Sequence, residues 1–501
     1  MLFLKHNSLD SNDLIEIERY YLRWIDSSST TIEVNVLDCS STALHGYLLG
    51  ILDKLQVIDT LHLSASQLLD FLIDIQKTYN DTPYHSFYHA TDIVAVLYYI
   101  LCDLKAKKYL TNLEISILSL AAICHDAGHT GYNNDYHVKF NTEHAIRYNS
   151  ISVLESLSVD IALELLQKHH ILESVQDQRE KCLVWLKKLI LSTDMTFHYD
   201  LLTEARALED TFSSINLWDE ESIESDMESL VVSETHSIGA GQPSSFHRQP
   251  SFLGTPLKST LIFDHNDDLN LLDEESSVTF YSPLDEPERL SFSCILLHAT
   301  DISNTVRAWP ISKQWSDLIV QEFFRQGDAE KAAGLAVSPG MDRNMATQAS
   351  ISLKFGDFVV KPYFEALTGL LPSARVFIDQ LEENREEWTK LKQSPYATSI
   401  TNYYLSSRLS LKPTHIVKQN SLPVPGKVNV PAGTVALPID SNSHRNTIAF
   451  SSSSSSVATK NSTMAKPMPI LRTASHSNIL LSTSSASPES YNYRRKKKIN
   501  L

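Results

Sequence analysis

From residue 42 onwards apolar residues recur at steps of three and four: Leu48, Leu52 and Leu55, then Leu68, Leu72 and Ile75. That spacing lines one face of an α-helix. The same pattern predicts helices at Asp92–Leu104, Asn112–Cys124, Ile161–Leu166 and Lys181–Ser192, with Thr82-Pro83 opening the helix that follows. After residue 288 it resumes at Leu290–Leu297, Trp315–Phe324, Ile351–Leu371 (kinked at Pro362) and Ala374–Leu391. Before residue 42 there is one helical stretch, Asp13–Trp24, and one predicted strand, Thr31–Leu37, where Ile32, Val34 and Val36 alternate with polar residues. Residues 211–288 lose the period and carry the acidic clusters Asp219-Glu220-Glu221, Asp267-Asp268 and Asp273-Glu274-Glu275, which predicts a disordered insertion. The expected organisation is a short extension (1–41), an all-α domain (42–395) containing the insertion, and a low-complexity tail (396–501).

Composition narrows the classes. A chain of 501 residues with 42% hydrophobic content can bury a large core. A formal charge of −17 argues against a nucleic-acid binder, whose surface would be basic. The five cysteines (Cys39, Cys102, Cys124, Cys182, Cys294) have no close spacing, so reduced thiols of a cytoplasmic protein are expected. No apolar run reaches about 18 residues, and Met1–Lys5 has no basic leader, so neither a membrane span nor a signal peptide is expected.

Histidines and carboxylates then draw attention to residues 84–144. His85 and His89 are four apart, and His125 and His129 repeat that step with Asp126 beside the first. A single pair at this spacing is an ordinary core feature, but His89, then His125-Asp126, then Asp301 form a set that mixes imidazole with carboxylate. Imidazole suits zinc and carboxylate suits magnesium or manganese, so the set predicts a centre for two divalent metals.

This order resembles the HD metallohydrolase superfamily, and further motifs make the resemblance closer. Tyr84-His85-x-x-x-His89-Ala90-x-Asp92-Ile93, His125-Asp126-x-x-His129-x-Gly131-x-x-Asn134 and Thr193-Asp194-Met195-x-x-His198 are similar to signatures of class I cyclic nucleotide phosphodiesterases. So are Asp301-Ile302-Ser303-Asn304 and Glu322-Phe323-Phe324-Arg325-Gln326-Gly327-Asp328. The likeness runs over 45–393 apart from the insertion.

The resemblance implies a compact multi-helix HD-type catalytic domain hydrolysing 3′,5′-cyclic nucleotides to 5′-monophosphates, with cyclic AMP favoured and cyclic GMP the alternative. It implies that His89, His125, Asp126 and Asp301 hold a first metal, expected to be Zn2+. Asp126 would bridge to a second, expected to be Mg2+ or Mn2+, whose waters His129, Glu143 and Thr193 would hold. His85 would protonate the departing O3′. Tyr84, Asn304, Ile319 and Phe355 would line the base pocket, and Ser352 stands where the family's purine-binding glutamine is expected. Losing a bidentate contact of that kind costs about 1–3 kcal/mol, which predicts weaker purine binding unless Gln348, one turn earlier, reaches in.

Outside the domain, Arg248-Gln249-Pro250-Ser251 and Arg472-Thr473-Ala474-Ser475 fit a basophilic protein kinase, with chance occurrence in serine-rich segments as the plainer reading. The run Arg494-Arg495-Lys496-Lys497-Lys498 reads as a solvated end or a nuclear import signal. An HD hydrolase of another phosphoester, or a catalytically weak nucleotide-binding scaffold, are the competing functional classes.

Overall fold

The structure, a computed structural model, describes residues 2–28, 30–214 and 282–393. The expectations for the insertion, the tail, Ser251 and Ser475 therefore lie outside the described residues. Among the described residues there is no strand, and the domain is all-α.

Several helices begin where the sequence supplies a capping side chain. Asp10 opens α1 (Ser11–Ile25), Ser40 opens α2 (Ser41–Lys54), and α3 (Val57–Thr60) is a single turn. Ser64 opens α4 (Ala65–Thr78), which precedes α5 (Phe87–Cys102). Then come α6 (Asn112–Cys124), α7 (Asn134–Lys139), α8 (Glu143–Arg147), α9 (Val153–Lys168), α10 (Arg179–Leu191) and α11, described over 198–214. On the other side of the insertion follow α12 (Glu286–Asp301), α13 (Trp309–Ala332), α14 (Gln348–Phe355), α15 (Lys361–Leu370) and α16 (Arg375–Gln393).

Helices α5, α6 and α12 form the centre, because each is apolar around most of its circumference. In α6 every residue from Glu114 to Cys124 is buried. Helices α9 and α10 cover α6, α2 covers α5, and α1 packs along α2. The two central helices that end at the candidate ligands are tied at their starts. Thr111 and Glu114 form a capping box on α6, and Asp285 and Glu288 form another on α12. Arg289 Nε then donates to both oxygens of Glu114 at 3.0 Å, so the first turns are joined. Fixed there, their far ends deliver His125-Asp126 and Asp301 to one place.

Several expectations are corrected. Thr31–Leu37 is not a strand: Thr31–Glu33 and Val36–Asp38 are short 3-10 turns. The alternation instead serves Arg307, a fully buried guanidinium that donates to Ile32 O and Val34 O at 2.9 and 2.8 Å. It also pairs with Asp92 Oδ1 at 2.5 Å. Thr82-Pro83 does not open a helix, since α5 begins at Phe87. The segment expected as insertion begins too early and ends too late, because 211–214 belong to α11 and α12 starts at Glu286. The long helix expected over Ile351–Leu371 is divided by a π-helical turn at Gly356–Val360. There the Lys361 N–H reaches back to Gly356 O, and Pro362 has no N–H to contribute, so the helix takes up an extra residue.

Candidate metal centre and proton donor

The four-residue spacing of His85/His89 and of His125/His129 would put each pair on one face of a helix, but neither pair lies within one helix. His85 lies in the bent segment before α5, His89 lies in the first turn of α5, and α6 stops at Cys124. His125 caps α6, and Gly128 turns the chain away with φ +82° while its N–H donates to Thr78 O at 3.1 Å. His125 keeps helical backbone angles, and it and the neighbouring Asp126 both reach the cluster from the end of α6.

His89, His125, Asp126 and Asp301 bring four ligand atoms within 4.8 Å of one another. His125 Nε2 is 3.1 Å from Asp126 Oδ2 and 3.4 Å from Asp301 Oδ1; His89 Nε2 is 3.7 and 3.1 Å from the same two oxygens. A tetrahedral ion with bonds of about 2.0–2.2 Å holds its ligands roughly 3.3–3.5 Å apart, so the spacing fits. The chemistry of the donors fits as well. His125 Nδ1–H donates to Ala122 O at 2.9 Å, which leaves the lone pair on Nε2. That Nε2 and Asp126 Oδ2 are buried without a hydrogen-bond partner, as expected of atoms meant for an ion. Burial alone would raise the Asp301 carboxyl, but the His125 and His89 imidazoles hold it well below the usual carboxylate range.

His85 stands beside this cluster without joining it. Its Nδ1 is 2.6 Å from Glu322 Oε2, and Glu322 Oε1 accepts the backbone N–H groups of Tyr84 and His85 at 2.7 and 3.1 Å. Burial works against a charged imidazole, yet the Glu322 carboxylate outweighs it and raises His85 to about 9. Burial likewise opposes the charged Glu322, and His85 reverses it, bringing Glu322 down to about 2. His129 stacks on His85 with ring centres 3.7 Å apart. Burial first, and then His85, push it down to about 3, so His129 is neutral.

The expected water-holding residues divide. Thr193 is buried just after α10, its hydroxyl donating to Ile190 O at 2.8 Å while its oxygen lone pairs stay available. Glu143 is exposed at the start of α8 and does not join the cluster. A carboxyl that sequence reading missed, Glu155 on α9, accepts Asn134 Nδ2 at 2.9 Å and rises to about 8, through burial and then repulsion from Asp194. The charge of Asp126 contributes to that shift too. The quoted Asn134 was the clue, but its partner lies 21 positions on and only the fold joins them.

Of the residues expected to line a base pocket, Tyr84 is wedged against His85, His89 and Trp315, and Asn304 Nδ2 donates to its hydroxyl. Ile319 and Phe355 are half-buried against the core. Ser352 Oγ lies 2.9 Å from Ser316 Oγ, and Gln348 Nε2 donates to Ser316 Oγ at 3.1 Å and to Asp317 Oδ1 at 2.8 Å. Gln348 is thus held by α13 beside Ser352. Ser316, Ile319 and Glu322 are spaced by three on α13, so one helix carries the pocket wall and the partner of His85.

The family model of 3′5′-cyclic nucleotide phosphodiesterases matches residues 84–381. The 3′,5′-cyclic-nucleotide phosphodiesterase regA of Dictyostelium discoideum is 26% identical over 360 residues, 71% of this chain and 37% of that protein. The mouse (Mus musculus) high affinity cGMP-specific 3′,5′-cyclic phosphodiesterase 9A is 28% identical over 356 residues, 70% of this chain and 53% of that protein. The chain thus spans between about a third and a half of the length of such relatives. Among solved structures, the phosphodiesterase domain of the RhoPDE fusion protein from the choanoflagellate Salpingoeca rosetta superposes with a TM-score of 0.56 at 22% identity. It covers 77% of this chain and 99% of that domain. A complex of LmjPDEB1 with IBMX gives a TM-score of 0.58 at 22% identity, over 77% of this chain and 98% of that one. The match over residues 84–381 takes in every element that carries the four-residue cluster and His85, and the chain belongs to the 3′5′-cyclic nucleotide phosphodiesterase family.

Proposed function

We propose that the chain hydrolyses 3′,5′-cyclic nucleotides to 5′-monophosphates, with cyclic AMP the favoured substrate and cyclic GMP the alternative. The observation that carries this reading is the four-ligand cluster with a separately charged imidazole beside it. His89, His125, Asp126 and Asp301 would hold Zn2+, and Asp126 would share Mg2+ or Mn2+. Bound divalent metals supply Lewis-acid neutralisation of phosphate charge and a more acidic water. His129, Thr193 and Glu155 would orient water around Asp126, Glu155 taking the role expected of Glu143; the charge of Asp126 acting on both His129 and Glu155 supports this. Water would add to phosphorus as the P–O3′ bond breaks, and His85, protonated below about pH 9 and held by Glu322, would give its proton to the departing O3′. Ile319 and Phe355 clamp the base, and the Asn304 carbonyl and the Ser352 hydroxyl meet its edge.

Ser352 favours a second reading, a scaffold that binds nucleotide and turns it over weakly. Purified chain assayed with cyclic AMP and cyclic GMP, with and without a chelator, separates the readings. Hydrolysis of either that stops with chelator is expected. Binding without hydrolysis supports the scaffold, and hydrolysis insensitive to chelator overturns the metal assignment. Ser352→Gln is expected to lower KM, by up to about 10–100-fold if the amide contact is recovered in full; an unchanged or higher KM rules out the purine role of this position.

A further inference from the structure

A second group of ligand-type side chains converges outside the catalytic cluster. His6 comes from the segment before α1, Asp70 from α4, and His169 from the end of α9. One ligand atom from each lies within 4.8 Å of the other two. His169 is 2% exposed, and its Nε2–H donates to Asp74 Oδ2 at 2.9 Å. That bond leaves the lone pair on Nδ1, and Nδ1 is buried without a hydrogen-bond partner. A carboxylate behind one ring nitrogen and a bare lone pair on the other is the arrangement that orients a metal-binding histidine.

The remaining two donors complete the set. His6 is exposed and lies edge-on to His169, with ring centres 4.9 Å apart. Asp70 Oδ2 accepts the backbone N–H groups of Lys5 and His6 at 2.9 and 2.6 Å, and Oδ1 accepts Asn7 Nδ2 at 2.7 Å. A carboxylate offers about four lone-pair directions, so these three bonds leave one for an ion. Two imidazoles, one carboxylate and an open side are a zinc-class donor set, whereas calcium and magnesium prefer oxygen alone. His6 is the exposed member of the three, so its ring is the one that can turn toward an ion while Asp70 and His169 stay in place.

We propose that His6, Asp70 and His169 bind one zinc-class divalent ion, separate from the catalytic metals, that fastens the N-terminal segment to α4 and α9. The segment is otherwise held by the buried Leu2 and by bonds such as Phe3 N–H to Ser66 Oγ at 2.9 Å. The ion would add a cross-link between residue 6 and residue 169.

The test uses the full chain, stripped with chelator, reloaded with zinc and dialysed before metal analysis, in the parent, His6→Ala and His6→Cys forms. His6→Ala is expected to hold one zinc fewer per chain than the parent and to lose part of the zinc-induced rise in Tm. Trypsin is expected to cut after Lys5 several-fold faster in the zinc-loaded His6→Ala chain than in the parent. His6→Cys, which restores a ligand, is expected to regain the ion and the protection. Hydrolysis rates should be the same in all three. Equal zinc content and an equal Tm rise in parent and His6→Ala would overturn the site. So would a loss in His6→Ala that His6→Cys does not reverse.

Discussion

His85 and Glu322 are the pair on which the proposed chemistry turns at the scale of single residues. Replacing His85 by Ala removes the proton donor without touching the four ligands, so kcat should fall by about 10²–10⁴ while metal content holds. Metal analysis beside single-turnover kinetics checks both halves of that statement. Glu322→Gln tests the tuning. With the carboxylate present His85 loses its proton near pH 9, so activity should persist to about that pH and then decline. Without it, burial is opposed only by the smaller effects of Asp126 and Asp301, so the alkaline limb should move to lower pH, which a pH–rate profile reads directly. The pair's contribution to fold stability is complete between about pH 4.5 and 6.5; it is lost as pH climbs through about 9, where His85 gives up its proton, and as pH falls through about 2, where Glu322 takes one up. His85 was legible because its spacing to His89 is local. Glu322 was visible only as part of a motif, since nothing in the chain announces a partner 237 positions away. Glu143 misled for the opposite reason, being an acidic residue near the right stretch that the fold leaves in solvent.

Among elements, the legible ones are those whose apolar period is strong. The span Asn112–Cys124 was read to the residue, and Lys181–Ser192 nearly so, because both helices pack on several sides. Thr31–Leu37 was misread because alternation reports which residues are buried, not which partner takes the backbone bonds. Here the partner is Arg307, which meets Ile32, Val34 and Asp92. Arg307→Leu would strand a buried aspartate and two carbonyls, and should destabilise the domain by about 3–5 kcal/mol in denaturant unfolding. Arg307→Leu with Asp92→Asn should recover part of that loss. The crossing of α13 and the Met341 segment depends on the absence of a side chain at Gly327. A Cβ there would stand 1.9 Å from Met341 O. Backbone cannot yield as a side chain can, so Gly327→Ala should cost about 1–3 kcal/mol or more by the same measurement.

Considered as a whole, the molecule gathers carboxylates and imidazoles at the ends of α5, α6 and α12, where the proposed metals would sit. Removing divalent metal should lower Tm as well as activity. An ion held at about a hundred times its dissociation constant stabilises the native state by about 2.7 kcal/mol. Scanning calorimetry with and without chelator measures this, and Asp301→Ala should respond less than the parent. The site is also divided along the chain. His85, His89, His125, Asp126 and His129 precede residue 214, while Asp301, Glu322 and Phe355 follow residue 282. A chain cut between those two points would yield fragments of which neither owns a working centre. Their reassociation would be reported by turnover itself, which makes this domain a candidate for a two-part complementation sensor.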